Sequence, residues 1–172
     1  MSGFDTQIGE AFVGTGAEAA HLNTVLGAKG GPVETAWVTA LATPRAGHIA
    51  FVTTLRPGVP AKPMTLFVNK ATLDGDLHST MTWGPAQAGV ASGVLWAVAD
   101  GIITGDSVDD VVLIAAVWVN PQAADEALVY ENNRTATRDA LAAGALQLPT
   151  LDEALACRDQ AFNAYYSPPG VT

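Results

Sequence analysis

Polar side chains recur at every second position in two segments that have the composition of β-strands. His21 and Asn23 lie in one segment, and Lys70 and Thr72 lie in another. Because side chains alternate between the two faces of a strand, each pair shares a face. Imidazole exchanges protons near neutral pH, so His21 is the candidate general acid. Two strands that each present such a pair can together line one pocket.

The remaining reactive side chains do not predict a second site. We assign no role to His48, at a predicted strand start, or to His78, in a predicted loop. The three histidines lack the close spacing of a zinc site and Cys157 is a lone cysteine, so we expect no metal. For the four tryptophans we expect core or interface packing, with Trp83 the candidate to border the pocket.

The charge of the chain restricts its partners. A net charge of −9 argues against nucleic acid and anionic membrane surfaces, because their phosphate groups would repel the chain. The charge is uneven, since five basic residues and a single acid lie between Ala28 and Thr72. This segment either provides a basic field for a small anionic ligand or consists of separate solvated side chains.

Targeting signals and cysteine usage indicate the compartment. Residues 1–9 lack the basic and apolar regions of a secretory signal. The apolar segment 86–99 contains Gln87 and Ser92 and is too short for a membrane span. A lone cysteine cannot form an intrachain disulfide, which fits a reducing compartment. We therefore expect a cytoplasmic protein.

The elements that must position these side chains form one two-layer α/β domain, with a mixed β-sheet packed with helices. Its predicted strands are 8–14, 18–26, 48–55, 65–73 and 111–119, and its predicted helices are 33–41, 85–100, 125–143 and 151–165. The first two strands are expected to form a hairpin. Prolines 57, 60 and 63 are expected to exclude regular structure between the third and fourth strands. We expect residues 1–172 to be one domain, with a core at about 7–146 and a C-terminal helix and frayed tail at 147–172.

The low charge content has two explanations. Charged residues make up 15% of the chain, against a typical ~25%. Either contacts between copies of the chain cover part of the surface, which favours a homo-oligomer, or the composition reflects genomic base usage.

Short motifs in a fixed order point to a known family. They are Gln7-Ile-Gly-Glu-Ala11, Ala19-Ala-His-Leu-Asn23, Lys29-Gly-Gly-Pro-Val33, Arg56-Pro57 with Pro60-Ala-Lys-Pro63, Asn69-Lys-Ala-Thr72 and Gly84-Pro-Ala-Gln-Ala-Gly-Val90. Together they resemble the formaldehyde-activating enzyme family. The resemblance extends from Gln7 to about Ala143, and the Gly-Pro-Ala-Gln and Pro-x-Lys-Pro segments are its most specific parts.

The resemblance implies an activity, a fold and an assembly. Members of this family condense formaldehyde with tetrahydromethanopterin to methylene-tetrahydromethanopterin and water, using a histidine that matches His21 as general acid. The matching pterin-binding positions are Asn23, Val52, Lys70, Thr72 and Gln87. The resemblance also implies a ribosomal protein S5 domain 2-like fold and a homopentamer with pockets between neighbouring subunits.

One departure from the family pattern leaves alternatives open. Where the family reads Ala-His-x-Asp, this chain has Asn23, so the carboxylate next to the histidine is absent. A carboxylate favours imidazolium, whereas an amide only donates or accepts a hydrogen bond. The chain is therefore either an active hydro-lyase or a non-catalytic, sensory paralogue that binds the pterin. A purely structural oligomer subunit is a third reading.

Overall fold

A five-stranded mixed sheet organises the chain, of which the computed structural model describes residues 4–163 and 166–168. Its strands are β1 (Gln7–Val13), β2 (Ala20–Ala28), β3 (Phe51–Val52), β6 (Met64–Asn69) and β7 (Val111–Trp118), while β4 (Thr54–Arg56) and β5 (Val59–Pro60) form a separate ladder. The helices are α1 (Pro32–Ala42), α2 (Gly75–Met81), α3 (Gln87–Ala99), α4 (Glu126–Ala145) and α5 (Leu151–Ala156). The sheet order is β1-β2-β7-β6-β3. Only β6 and β7 are parallel. The predicted mixed sheet with packed helices is confirmed.

The hairpin of β1 and β2 sets the register of the sheet. Val13 pairs with Ala20 at the turn, and Gln7 pairs with Leu26 at the far end. In β2, Leu22, Thr24 and Leu26 are buried on one face, while Asn23 and Val25 point to the other face and are partly exposed. This alternation is what the period of a half-buried strand requires. The predicted hairpin is confirmed.

Helices α3 and α4 cover one face of the sheet and form the core with it. Glycines allow close backbone approach: a Cβ at Gly9 would lie 1.7 Å from the carbonyl oxygen of Ala140, and one at Gly93 would lie 2.4 Å from that of Arg134. Gly144 also faces β1 from inside α4, so α4 continues past the predicted stop. At its start, α4 is capped by the Asp125 side chain.

The opposite face of the sheet is only partly covered. Val33 of α1 is buried against Gly27, at one end of this face. Of the predicted apolar stripe of α1, only Val33 is buried. At the other end, Ile8 and Phe12 remain 66% and 49% exposed. We call the part that contains Ile8, Glu10, Phe12, His21, Asn23, Val25, Ile114, Ala116 and Trp118 the open face.

The predicted third and fourth strands are shorter than expected. The strand predicted at 65–73 ends at Asn69, because the Asn69 amide donates hydrogen bonds to the carbonyl oxygens of Gly47 and Ala71 and turns the chain. The strand predicted at 48–55 divides into β3 and β4. The proline loop contains the β4–β5 ladder and is therefore not irregular, because Pro60 occupies an edge position where no donor is required.

Two helix predictions also need correction. The helix predicted at 85–100 is preceded by α2 and by a π-helical turn over Thr82–Ala86, so the chain passes Pro85 by widening the helix. The helix predicted at 151–165 ends at Ala156, since all residues of α5 are exposed and no packing supports a longer helix. Residues 164–165 and the tail residues 169–172 lie outside the described residues. Ser167, which we expected in a frayed tail, lines a cleft together with residues of the sheet.

Candidate active site

A cleft of about 760 Å³ opens on the open face, where β2 begins. Its volume is in the range of small-molecule sites. Strands β1, β2 and β7, the residue after β6 and the C-terminal segment line it with Glu10, Phe12, His21, Lys70, Trp118, Phe162, Asn163 and Ser167. The walls are therefore largely aromatic, with a few convergent polar groups.

His21 lies at the centre of three adjacent strands. It pairs with Phe12 on β1 and with Trp118 on β7. The Phe12 ring lies 6.0 Å from the imidazole, measured between ring centroids. Nε2 of His21 lies 3.1 Å from Oε1 of Glu10, and the side chain is 38% exposed. An imidazole so placed has a carboxylate beside one of its nitrogens and is accessible from the cleft.

Glu10 provides the carboxylate that Asn23 lacks. It is the cross-strand partner of Asn23, and so a diagonal neighbour of His21 on the same face. Asn23 itself accepts a hydrogen bond from Lys70, at 2.5 Å between Oδ1 and Nζ. The amide therefore faces the lysine, and the carboxylate faces the histidine.

Lys70 follows the last residue of β6 and is held by its backbone, whose N–H donates to the carbonyl oxygen of Val117 at 2.8 Å. Partial burial lowers the pKa of the Lys70 ammonium, and the negative charge of Glu10 opposes that shift. Lys70 and Glu10 thus place a cation and an anion at one cleft.

Thr72 lies in the turn that follows β6, where polar side chains contact one another. Nδ1 of His48 lies 3.0 Å from the carbonyl oxygen of Asn69, which can only accept, so Nδ1 carries the hydrogen. Nε2 of the same ring lies 3.1 Å from the Thr72 hydroxyl oxygen. The turn ends the predicted strand and removes the shared face that we expected for Lys70 and Thr72. His48, to which we assigned no role, supports this turn.

Val52 and Gln87 lie apart from the residues that line the cleft. Val52 pairs with Leu66 at the β3 edge of the sheet. Gln87, at the start of α3, accepts a hydrogen bond from the Thr54 backbone N–H at 2.9 Å and donates to the Thr54 carbonyl oxygen at 3.1 Å. Within one chain, the predicted site residues divide into two groups. His21 and Lys70 line the cleft and Asn23 contacts Lys70, whereas Val52, Thr72 and Gln87 do not line it.

Comparison with known proteins identifies the family. The family model described as formaldehyde-activating enzyme (Fae) matches residues 8–166. The chain belongs to the formaldehyde-activating enzyme family.

Relatives within this family differ in length. The chain is 42% identical over 156 residues to the 5,6,7,8-tetrahydromethanopterin hydro-lyase of Methanosarcina barkeri, a match that covers 91% of this chain and 88% of that protein. It is 39% identical to the bifunctional enzyme Fae/Hps of Methanococcoides burtonii and 38% identical to that of Methanosphaera stadtmanae. Those matches cover 91% and 90% of this chain but only 40% and 38% of the bifunctional proteins.

The sequence analysis did not predict several of the residues that line the cleft of this family member. Glu10 lies in the motif that begins at Gln7, and its alternation with Phe12 was visible, but only the pairing register brings it to His21. Trp118, and not Trp83, borders the cleft, while Trp83 is 47% exposed in the π-helical turn. No sequence signal indicated Phe162, which belongs to a segment that we predicted to be helical.

Neither a metal site nor a membrane span is found in the described part of this family member. Within residues 4–163 and 166–168, no three His, Cys, Asp or Glu side chains are grouped as metal ligands. None of the helices within the same ranges has the length and apolar character to cross a membrane.

Proposed function

We propose that this protein condenses formaldehyde with tetrahydromethanopterin to give methylene-tetrahydromethanopterin and water, with His21 as general acid. The observation that carries the proposal is the contact between His21 and Glu10 in an aromatic cleft on a chain of this family. The name of the Methanosarcina barkeri relative, tetrahydromethanopterin hydro-lyase, supports the same reaction.

The chemistry requires one well-placed proton. An amine of the pterin adds to formaldehyde to form a carbinolamine, whose hydroxyl must leave before the second C–N bond forms. Protonation of that leaving group is general-acid catalysis, which commonly contributes ~10²- to 10⁴-fold. The His21 side chain lines the cleft and is 38% exposed, so its ring is accessible to such a substrate.

The other cleft residues serve binding. Phe12, Trp118 and Phe162 offer apolar surface to a flat heterocycle, and Lys70 offers positive charge to polar groups of the substrate. Asn23 positions Lys70 through its hydrogen bond. We propose that Val52, Thr72 and Gln87 contact pterin bound to a neighbouring subunit.

A homopentamer would bring the two groups of binding residues together. The exposed apolar side chains of the open face and of α1, among them Ile8, Phe12, Val38 and Leu41, support self-association. We also place the protein in the cytoplasm and propose a ribosomal protein S5 domain 2-like topology. Light scattering at micromolar concentration tests the assembly, and a monodisperse monomer would contradict both the pentamer and the shared pocket.

The second candidate function is pterin binding without catalysis, which Asn23 favours because it replaces the carboxylate of the family pattern. Two measurements separate the candidates. The rate of methylene-tetrahydromethanopterin formation is compared with the spontaneous rate, and pterin binding is measured by calorimetry. Acceleration supports the enzyme, and binding without acceleration supports the sensory reading. Absence of both contradicts both functions.

A further inference from the structure

The chain contains three lysines, and their surroundings differ. Lys62 donates a hydrogen bond to a carboxylate oxygen of Asp109 at 2.6 Å, and Lys29 donates to the backbone carbonyl oxygen of the same residue at 2.5 Å. These two lysines therefore lie at the end of the sheet where β7 begins. Lys70 lies at the other end of β6, and among the described residues it is the lysine that lines the cleft.

Lys70 has an uncharged partner instead of a carboxylate. Its Nζ donates a hydrogen bond to Oδ1 of Asn23 at 2.5 Å. An amide oxygen orients the amine but carries no charge that favours the ammonium. Partial burial also lowers the pKa of Lys70, although the negative charge of Glu10 opposes the shift. Both features favour the unprotonated amine, which is the nucleophilic form.

We propose that Lys70 is a catalytic nucleophile, which binds formaldehyde covalently through Nζ and passes the carbon to the pterin amine. The proposal deepens the proposed function and rests on it. Formaldehyde is a small, uncharged electrophile, and lysine amines form Schiff bases with carbonyl substrates. The candidate general acid His21 lines the same cleft as Lys70. The amine that adds to formaldehyde and the acid that removes water are thus present in one site.

The transfer balances without a further reactant. The Nζ lone pair attacks the formaldehyde carbon, and a proton moves from Nζ to the former carbonyl oxygen to give a carbinolamine. The His21 imidazolium protonates that hydroxyl, the C–O bond breaks with its electron pair on oxygen, and water leaves as Nζ forms a C=N bond. The pterin amine then attacks the carbon, its proton passes to Nζ, and the C–Nζ bond breaks as the pterin nitrogen forms the C=N bond. The second pterin amine closes the methylene bridge and returns a proton to His21.

The residue at position 23 determines how readily the amine is released from its ammonium form. The aspartate of the family pattern would present a carboxylate to the lysine, which favours the ammonium. Asn23 makes the hydrogen bond without that charge. The departure from the family pattern therefore suits a nucleophilic lysine, and Asn23→Asp should make Lys70 less reactive.

Reductive trapping tests for the adduct at each lysine separately. The whole protein is exposed briefly to formaldehyde and cyanoborohydride at neutral pH without pterin, so that an iminium is reduced to a methylamine, and peptide mass spectrometry gives the methylation rates. Lys70 should be methylated about three- to tenfold faster than Lys62, whose ammonium is held by a carboxylate. In Asn23→Asp, the rate at Lys70 should fall about two- to fivefold, as expected for a partly exposed charge pair, with Lys62 unchanged. Equal rates at Lys70 and Lys62 in the wild type overturn the proposal.

An isotope pulse tests whether the adduct lies on the reaction path. Protein mixed with ¹³C-formaldehyde is added to tetrahydromethanopterin and an excess of ¹²C-formaldehyde, and the product of the first turnover is analysed. In the wild type and in Lys62→Ala, this product should be enriched in ¹³C above the mixed pool, because the bound carbon is transferred first. Lys70→Arg keeps the positive charge for pterin binding but lacks the primary amine. It should lose the enrichment, and its kcat should fall at least about tenfold.

Failure of the covalent role is distinguishable from failure of the proposed function. Acceleration of the condensation without faster labelling of Lys70, or with wild-type kcat in Lys70→Arg, overturns the covalent role and leaves the proposed function intact. Faster labelling of Lys70 without acceleration overturns the proposed function and the transfer step. In that case the trapping experiment still identifies Lys70 as the residue that binds formaldehyde.

Discussion

Asn23 accepts a hydrogen bond from the Lys70 ammonium at 2.5 Å, although 47 residues separate the two along the chain. The contact joins β2 to the residue that follows β6. It assigns the amide at position 23 to the lysine, while Glu10 on the neighbouring strand contacts His21. The departure from the family pattern at Asn23 therefore affects Lys70 more directly than the histidine.

The first prediction concerns Asn23→Asp. The new carboxylate should raise the pKa of Lys70, because it places a negative charge on the contact that the amide now makes. The condensation rate at neutral pH should change by less than about fivefold, which corresponds to the ~1 kcal/mol of a half-exposed charge pair. Steady-state kinetics and titration of the lysine by NMR measure both effects. A gain well above tenfold would instead support the non-catalytic reading of the wild type.

The second prediction separates chemistry from binding at His21. His21→Ala should lower the condensation rate ~10²- to 10⁴-fold, because the positioned acid is removed. Pterin affinity should change much less, since the proton is delivered in the transition state. Rate measurements and calorimetry are made on the same preparation, with thermal unfolding as a check on folding. A parallel loss of rate and affinity would assign His21 to binding.

The third prediction concerns the pH dependence of pterin binding through Lys70. Burial lowers the pKa of Lys70 below its ordinary value of 10.5. As the pH is raised, Lys70 should therefore lose its charge, and the protein its affinity for the pterin, at a lower pH than with an unperturbed lysine. Between the lowered pKa of Lys70 in the folded protein and 10.5, the unfolded chain binds more protons than the folded chain. The contribution of Lys70 to the free energy of unfolding therefore rises with pH in this window. Deprotonation of Lys70 in this pH window does not destabilise the fold, so a loss of affinity in the window is not caused by unfolding.

Substitutions of Lys70 provide the controls for this dependence. Lys70→Arg should bind with little pH dependence in the same window, since a guanidinium stays charged. Lys70→Ala should weaken binding by ~1.5 to 3 kcal/mol at neutral pH. Lys62, at the opposite end of β6 and paired with Asp109, is the matched control, and Lys62→Ala should bind normally. Equal affinities of Lys70→Ala and Lys62→Ala would remove Lys70 from the site.

The fourth prediction concerns His78, which is 1% exposed and was expected in a loop. Its Nδ1 accepts from the Asp74 backbone N–H, and its Nε2 lies 3.0 Å from the Val119 carbonyl oxygen. His78→Ala should lower the free energy of unfolding by about 2 to 4 kcal/mol, because it creates a cavity and leaves two backbone groups without partners. Denaturant unfolding measures this loss. Leu77→Ala, at a 50% exposed neighbour, should change stability little.

The sequence by itself determined features that depend on short-range periodicity. The alternation around His21 placed His21 and Asn23 on one face of β2, and the apolar run at 111–119 predicted the central strand β7. Asp125 marked the start of α4, because acidic side chains are favoured in the first turn of a helix. These predictions hold because each depends on a residue and its near neighbours in the chain.

Only the tertiary structure decided which side chains meet. Glu10 reaches His21 because the hairpin register pairs Glu10 with Asn23, and a shift of one residue would turn it to the other face. The end of β6 at Asn69 depends on a hydrogen bond to Gly47, 22 residues away. Phe162 comes to the cleft from beyond α5. Strand register and contacts between distant segments are set by the packing of the whole sheet, which local periodicity does not encode.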